Sequence, residues 1–156
     1  MSKQHHYEIS LCWTGNNGTG TSGYTAYERS HLVQVLGKPD ILCSSDPLFR
    51  GDSAKWNPEE LLLASIANCH MLWYLHLCSD NSIIIHSYKD NPVGVMQLEK
   101  NGSGKFIEVT LNPKIVISEQ EKKTMAIDLH HKAHEYCFIA NSVNFPVLIN
   151  PIIESI

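Results

Sequence analysis

The sequence predicts an α+β fold on three observations. The first third alternates apolar and polar residues as strands do, a sharply started apolar helix follows, and β-type patterning then returns ahead of a second helix. At 156 residues, a single domain over 1–156 with a sizeable core is expected. Apolar residues at 43% and charged residues at 18% exclude a disordered chain. A formal charge of −4, with no run of Lys or Arg, excludes an electrostatic nucleic-acid partner.

Residues 6–14 carry Tyr7, Ile9, Leu11 and Trp13 in alternation, and a Gly/Asn-rich break covers 15–23. Residues 24–36 form a second strand region with Val33 and Val35. Residues 37–56, with Pro39, Asp46-Pro47 and Gly51-Asp52, read as a loop long enough to be functional. Asn57 is then an N-cap, Pro58 fits the first helical position, and Glu59 and Glu60 suit the positive end of the helix dipole. That helix runs to about Cys78 and is apolar nearly all round, so it needs cover from sheets or from another subunit. Strands follow at 83–88, 93–99 and 105–117, with Asn101-Gly102-Ser103-Gly104 as a hairpin turn. Ser118 with Glu121 has the form of a capping box for a helix over 119–137. The tail, 145–153, holds two prolines and suits an edge strand.

The start of the chain is polar and lacks the apolar core of a signal peptide. Residues 61–77 approach the length of a membrane span, but Ser65, Asn68, His70 and His76 interrupt them. A buried helix of a soluble, cytoplasmic protein without a membrane partner is expected. Five cysteines, Cys12, Cys43, Cys69, Cys78 and Cys137, form no CxxC pair, which excludes a zinc ribbon or a thioredoxin-type motif. Reduced thiols, some of them reactive, fit this odd set.

Cys69 sits mid-helix between Asn68 and His70. From residue type alone it reads as a packed, inert thiol, because free cysteine is among the most buried residue types. Cys78 lies nine residues on, about 180° around the helix, so the two cannot serve one site. Cys137, at the end of the second helix, is a better mate because helix ends are more accessible. His130, His131 and His134 cluster on that helix, and the i,i+4 pair His130 and His134 shares a face as metal ligands would. No HExxH accompanies them and no third ligand is near in sequence, so neither metal nor cofactor is expected.

Asn57-Pro58-Glu59-Glu60-Leu61-Leu62 with Cys69 ten residues after Glu59, and then Ala133-His134-Glu135-Tyr136-Cys137 with Asn141-Ser142-Val143, form two distant cysteine motifs. In that order they resemble the OsmC/Ohr family of organic hydroperoxide-reducing proteins, in a divergent branch where Phe138 replaces the proline many relatives carry. The resemblance covers most of the chain. It implies an intertwined homodimer with antiparallel sheets wrapped around long cysteine-bearing helices and with active sites shared between subunits.

It further implies a peroxidatic Cys69 thiolate, a resolving Cys137, and an arginine paired with Glu59 to stabilise the thiolate. Arg29, in Tyr27-Glu28-Arg29, is the expected arginine, with Arg50 on the long loop as the alternative. An organic hydroperoxide is the implied substrate and a dithiol the implied reductant, with a lipoyl group one candidate. Ten helical residues separate Glu59 from Cys69 by about 15 Å, beyond the reach of a glutamate. At least one member of each site is therefore expected from the partner subunit. Leu62, Ile66 and Trp73 are candidate lining for a bulky alkyl or lipid hydroperoxide. Two other readings stay open: a cysteine hydrolase or acyl-transferase using His70 or His134 as base, and a non-catalytic interaction protein whose cysteines only pack.

Overall fold

A computed structural model describes residues Lys3–Ile156; Met1 and Ser2, part of the polar start, lie outside it. The chain divides into two units, Met1–Leu61 and Leu62–Ile156. Among the described residues, nine strands and two α-helices make the mixed architecture that the sequence pattern predicts.

The first unit holds an antiparallel sheet of β1 (Ser10–Trp13), β2 (His31–Gln34) and β3 (Ile41–Cys43). The expected second strand is therefore shorter than 24–36, and the loop expected from residue 37 contains β3. Residues 24–30 stay out of the sheet, so Arg29 does not lie in a strand as expected. A 3-10 turn, Pro47–Phe49, starts on Asp46, whose Oδ1 accepts from Leu48 N at 2.7 Å, and ends on Arg50 at φ 65°. A Cβ on Gly51 would fall 1.6 Å from the Ser45 carbonyl oxygen, so only glycine fits there. Residue 56 then returns to the sheet, with Trp56 N donating to Leu42 O and Ser44 N to Trp56 O.

Helix α1 (Pro58–Asp80) begins where the sequence predicts. Asn57 Oδ1 accepts from Glu60 N at 2.7 Å while Glu60 Oε2 accepts from Asn57 N at 3.2 Å, a reciprocal cap that satisfies two end groups. The helix runs into the second unit, where Ile66, His70, Tyr74, Leu77 and Cys78 are buried. Those positions recur at i, i+4 and i+8, a single stripe. Asn68, Leu72 and His76 mark the opposite, exposed side, so burial covers one face rather than all of them. By length and composition α1 could cross a membrane, yet 28% of its most apolar stretch is buried within the chain, along the stripe that packs on the second unit's strands.

In the second unit one sheet orders β4 (Ile85–Lys89), β7 (Lys114–Ile117) and β9 (Ile152–Ser155). The other orders β5 (Val93–Leu98), β6 (Gly104–Leu111) and β8 (Val147–Ile149). The β5–β6 hairpin turns through Gly102 at φ 86°, as its sequence predicts. The single strand expected over 105–117 is two strands of different sheets, split at Asn112-Pro113 because proline cannot continue the ladder. The tail likewise gives two edge strands, and both pair in parallel, β8 with β6 and β9 with β7. The sheets are therefore mixed, not wholly antiparallel.

Helix α2 (Lys123–Tyr136) starts after a 3-10 turn, Gln120–Lys122, one turn later than expected. The capping box does not form: Ser118 Oγ is 2.6 Å from His86 Nε2, and Glu119 Oε2 accepts from Ile84 N. Two apolar clusters hold this unit. Tyr74, Leu77 and Cys78 of α1 pack with Ile115 and Ile117 of β7 and with Ala126, Leu129 and Ala133 of α2. Nearer the start of α1, Ile66 packs with Val109 and Leu111 of β6.

Candidate functional site: a cysteine pair between two helices

Cys69 is half-buried on α1, and Cys137 is fully buried as the C-cap residue of α2. Both are free thiols, and the Cys69 side chain lies beside that of Cys137, near enough to perturb it. Burial pushes the Cys137 thiol up to about 11, and the neighbouring Cys69 pushes the same way, while the Ala140 N–H opposes both by donating to Cys137 Sγ at 3.5 Å. The expectation that a helix end would leave Cys137 accessible fails, because the chain folds back over it. Asn141 Nδ2 donates to Glu135 O and Ser142 Oγ to Phe138 O, closing the 3-10 turn Ala140–Ser142. The Asn141-Ser142 motif thus ties down the segment that follows the thiol.

Glu59 is half-buried in the first turn of α1, and its Oε2 is buried without a hydrogen-bond partner among the described residues. No ion pair joins it to Arg29 or Arg50 among the described residues. Arg29 donates to Tyr27 O at 2.7 Å and to Tyr24 O at 2.8 Å, and its guanidinium lies between the two tyrosine rings, 4.3 and 4.4 Å from their centroids. Arg50 occupies the left-handed end of the 3-10 turn.

Of the candidate lining residues, Ile66 is fully buried and offers no accessible surface in this chain. Leu62 is half-buried against the same cluster. Trp73, on the same helix face as Cys69, stacks on Tyr136 at 5.1 Å and meets Phe138 edge-on at 5.5 Å. Tyr136 and Phe138 flank Cys137 in the chain, and both are exposed. Sequence reasoning reached Trp73 but missed this aromatic group, although the Tyr136-Cys137-Phe138 run was its signal.

A second feature escaped prediction. His70 Nε2 and His130 Nδ1 lie 3.0 Å apart inside the protein, 1% and 2% exposed, one donating and the other accepting. Burial lowers His70 to about 4 and His130 to about 3, so both are neutral near pH 7. His70 thus bonds across to α2 and is no base for Cys69. The over-use of histidine, nine in the chain, was the available signal.

An α+β scaffold that brings two reduced thiols together from separate helices defines a cysteine-pair protein. Residues 51–151 match the family model described as OsmC-like protein, well over half of the chain. The chain belongs to the OsmC-like family. Its fold is similar to that of an OsmC-like protein of unknown function from Vibrio cholerae, at 30% identity and TM-score 0.85, covering 96% of this chain and 100% of that one. It is also similar to an organic hydroperoxide resistance protein from Elizabethkingia anophelis, at 18% identity and TM-score 0.67, covering 99% and 100% of the two chains. In sequence it is 22% identical over 143 residues to the uncharacterized protein YmaD of Bacillus subtilis, spanning 89% of this chain and 87% of that protein.

Proposed function

We propose that this protein is a cytoplasmic, thiol-dependent peroxidase that reduces organic hydroperoxides in a peroxide-stress role. The observation that carries this reading is the approach of Cys69 and Cys137 from two different helices. The Cys69 thiolate attacks the terminal peroxide oxygen; the O–O bond breaks, the alkoxide leaves and takes up a proton to become the alcohol, and Cys69 becomes a sulfenic acid. The Cys137 sulfur then attacks the Cys69 sulfur, and the hydroxyl departs as water with the Cys137 proton. A dithiol reductant, of lipoyl or similar type, restores both thiols by exchange and is itself oxidised to a disulfide. No cofactor enters this cycle.

The functional unit in this reading is a homodimer, with at least one of Glu59 and Arg29 reaching each thiol site from the second copy. Two observations support it. The buried, unpartnered Glu59 Oε2 calls for a donor, and a guanidinium is the natural one. Among the described residues the first unit buries a single apolar side chain, Cys43, while Ile9, Leu11, Leu42 and Trp56 are all at least half exposed. A sheet this bare needs cover. Arg29 would exchange its tyrosine cradle for Glu59 as the second copy docks. Trp73, Tyr136 and Phe138 offer an apolar wall suited to bulky hydroperoxides over hydrogen peroxide.

Intact-mass analysis after one equivalent of an alkyl hydroperoxide tests the proposal. The wild type should lose two hydrogens, Cys137→Ser should gain one oxygen, and Cys69→Ser should do neither. Stable acylation of Cys69 by an activated ester, with no mass change on adding the hydroperoxide, would instead favour a hydrolase, and turnover of hydrogen peroxide at an equal rate would end the claimed preference.

A further inference from the structure

Among the described residues, two side-chain hydrogen bonds join the cysteine helices, one from His70 and one from Tyr74. His70 follows Cys69 directly on α1, and His130 precedes Cys137 by seven residues, about two turns, on α2. Their nitrogens meet at 3.0 Å with the rings nearly parallel, 12° apart. Tyr74, one turn beyond His70, stacks on His130 at 3.8 Å between centroids and donates its hydroxyl to Ala126 O of α2 at 3.1 Å. Among the described residues, His70 Nδ1 and His130 Nε2 are buried and have no partner. A buried pair with half its hydrogen-bonding capacity unmet is costly to keep for packing alone, since an apolar pair of similar shape would fill the space without that penalty.

We propose that His70 and His130 are positioning residues for disulfide closure: their shared hydrogen bond holds α1 and α2 at the spacing at which the Cys137 sulfur reaches Cys69. The inference rests on the Cys69–Cys137 pairing of the proposed function but not on peroxide as the oxidant. His134 of α2 is the titratable neighbour acting on His70, and His131 of α2 acts on His130. Tyr74 of α1 covers His130, and Tyr88 of β4 packs on Tyr74 at 6.0 Å. None of these groups is a carboxylate that would hold an imidazolium in place, so the latch works in its neutral form.

The test equilibrates the full-length protein with reduced and oxidised glutathione at pH 7 and measures the Cys69–Cys137 disulfide by peptide mapping. His130→Phe, which keeps the ring and removes the hydrogen bond, should weaken the disulfide relative to glutathione by tenfold or more. His130→Asn, which can place an amide near the former Nδ1, should recover most of that loss. A His130→Phe value within twofold of wild type would overturn the proposal, as would equal losses in both variants, which would mark simple packing. Should His130→Phe fail to fold, His70→Leu against His70→Gln reads the same way, the glutamine amide standing near the former Nε2. If wild type forms no Cys69–Cys137 disulfide with glutathione, there is no closure to position and the inference falls. Because no peroxide is used, a disulfide that forms here alongside a protein inert to hydroperoxides would remove the peroxidase reading and leave this one intact.

Discussion

At the Cys137 sulfur, burial works against ionisation while the fold sets the Cys69 side chain beside it. With its pKa pushed up to about 11, little of this thiol is thiolate near pH 7, and the side chain is closed to solvent. Iodoacetamide at pH 7.5 should therefore modify half-buried Cys69 at least tenfold faster than Cys137, as peptide mapping would show; faster labelling of Cys137 would contradict this burial. The histidine pair gives a pH dependence of opposite origin. Both folded-state values lie below the ordinary 6.5, so the unfolded chain binds more protons as pH falls. Their stabilising contribution is whole above about pH 6.5 and is lost as pH falls toward 4 and then 3. For His70 a shift from 6.5 to about 4 sets a ceiling of about 3 kcal/mol. Urea midpoints should drop between pH 7 and pH 4, and a midpoint unchanged over that range would mean the imidazoles are not buried neutral. Cys69 itself was legible only through its motif, because nothing in its residue type separates a reactive thiol from a packed one.

The two helices show why element boundaries were legible at one end of the chain and not at the other. Asn57, Pro58 and Glu60 perform at α1 what their types predict, because no tertiary partner competes for the Asn57 side chain. Asn57→Ala should cost about 1 kcal/mol, read as a lowered denaturation midpoint. Ser118 has the same local form, but His86 claims its hydroxyl and Ile84 claims the adjacent Glu119, so α2 begins a turn late. Long-range strand contacts decide that outcome, and a local pattern does not contain them. The same holds for β8 and β9, whose parallel pairing depends on chain crossovers that alternation cannot report. On α1, Ile66→Ala should cost about 2–5 kcal/mol because the side chain is fully enclosed by Val109 and Leu111, whereas Leu72→Ala should change stability little. Equal effects of the two would mean that the buried stripe is wrongly placed.

For the whole molecule, composition and two distant motifs were enough to indicate the α+β class and the OsmC-like family, since both depend on the order of elements along the chain. The arrangement of Arg29 was not legible. A cation expected to face Glu59 is held instead by Tyr24 and Tyr27, through carbonyl and ring contacts that no motif encodes. In the dimeric account this cradle is the unassembled position. Leu11→Asp, on the exposed apolar face of β1, should then yield a monomer by sedimentation and lower peroxidase turnover at least tenfold. A monomer with full activity would show that each chain completes its own site. A single turnover tests the proposed thiol chemistry most directly. Reduced protein mixed with one equivalent of cumene hydroperoxide should release one alcohol per Cys69–Cys137 disulfide formed, both quantified in the same sample. Alcohol without that disulfide, or a disulfide between other cysteines, would contradict the account.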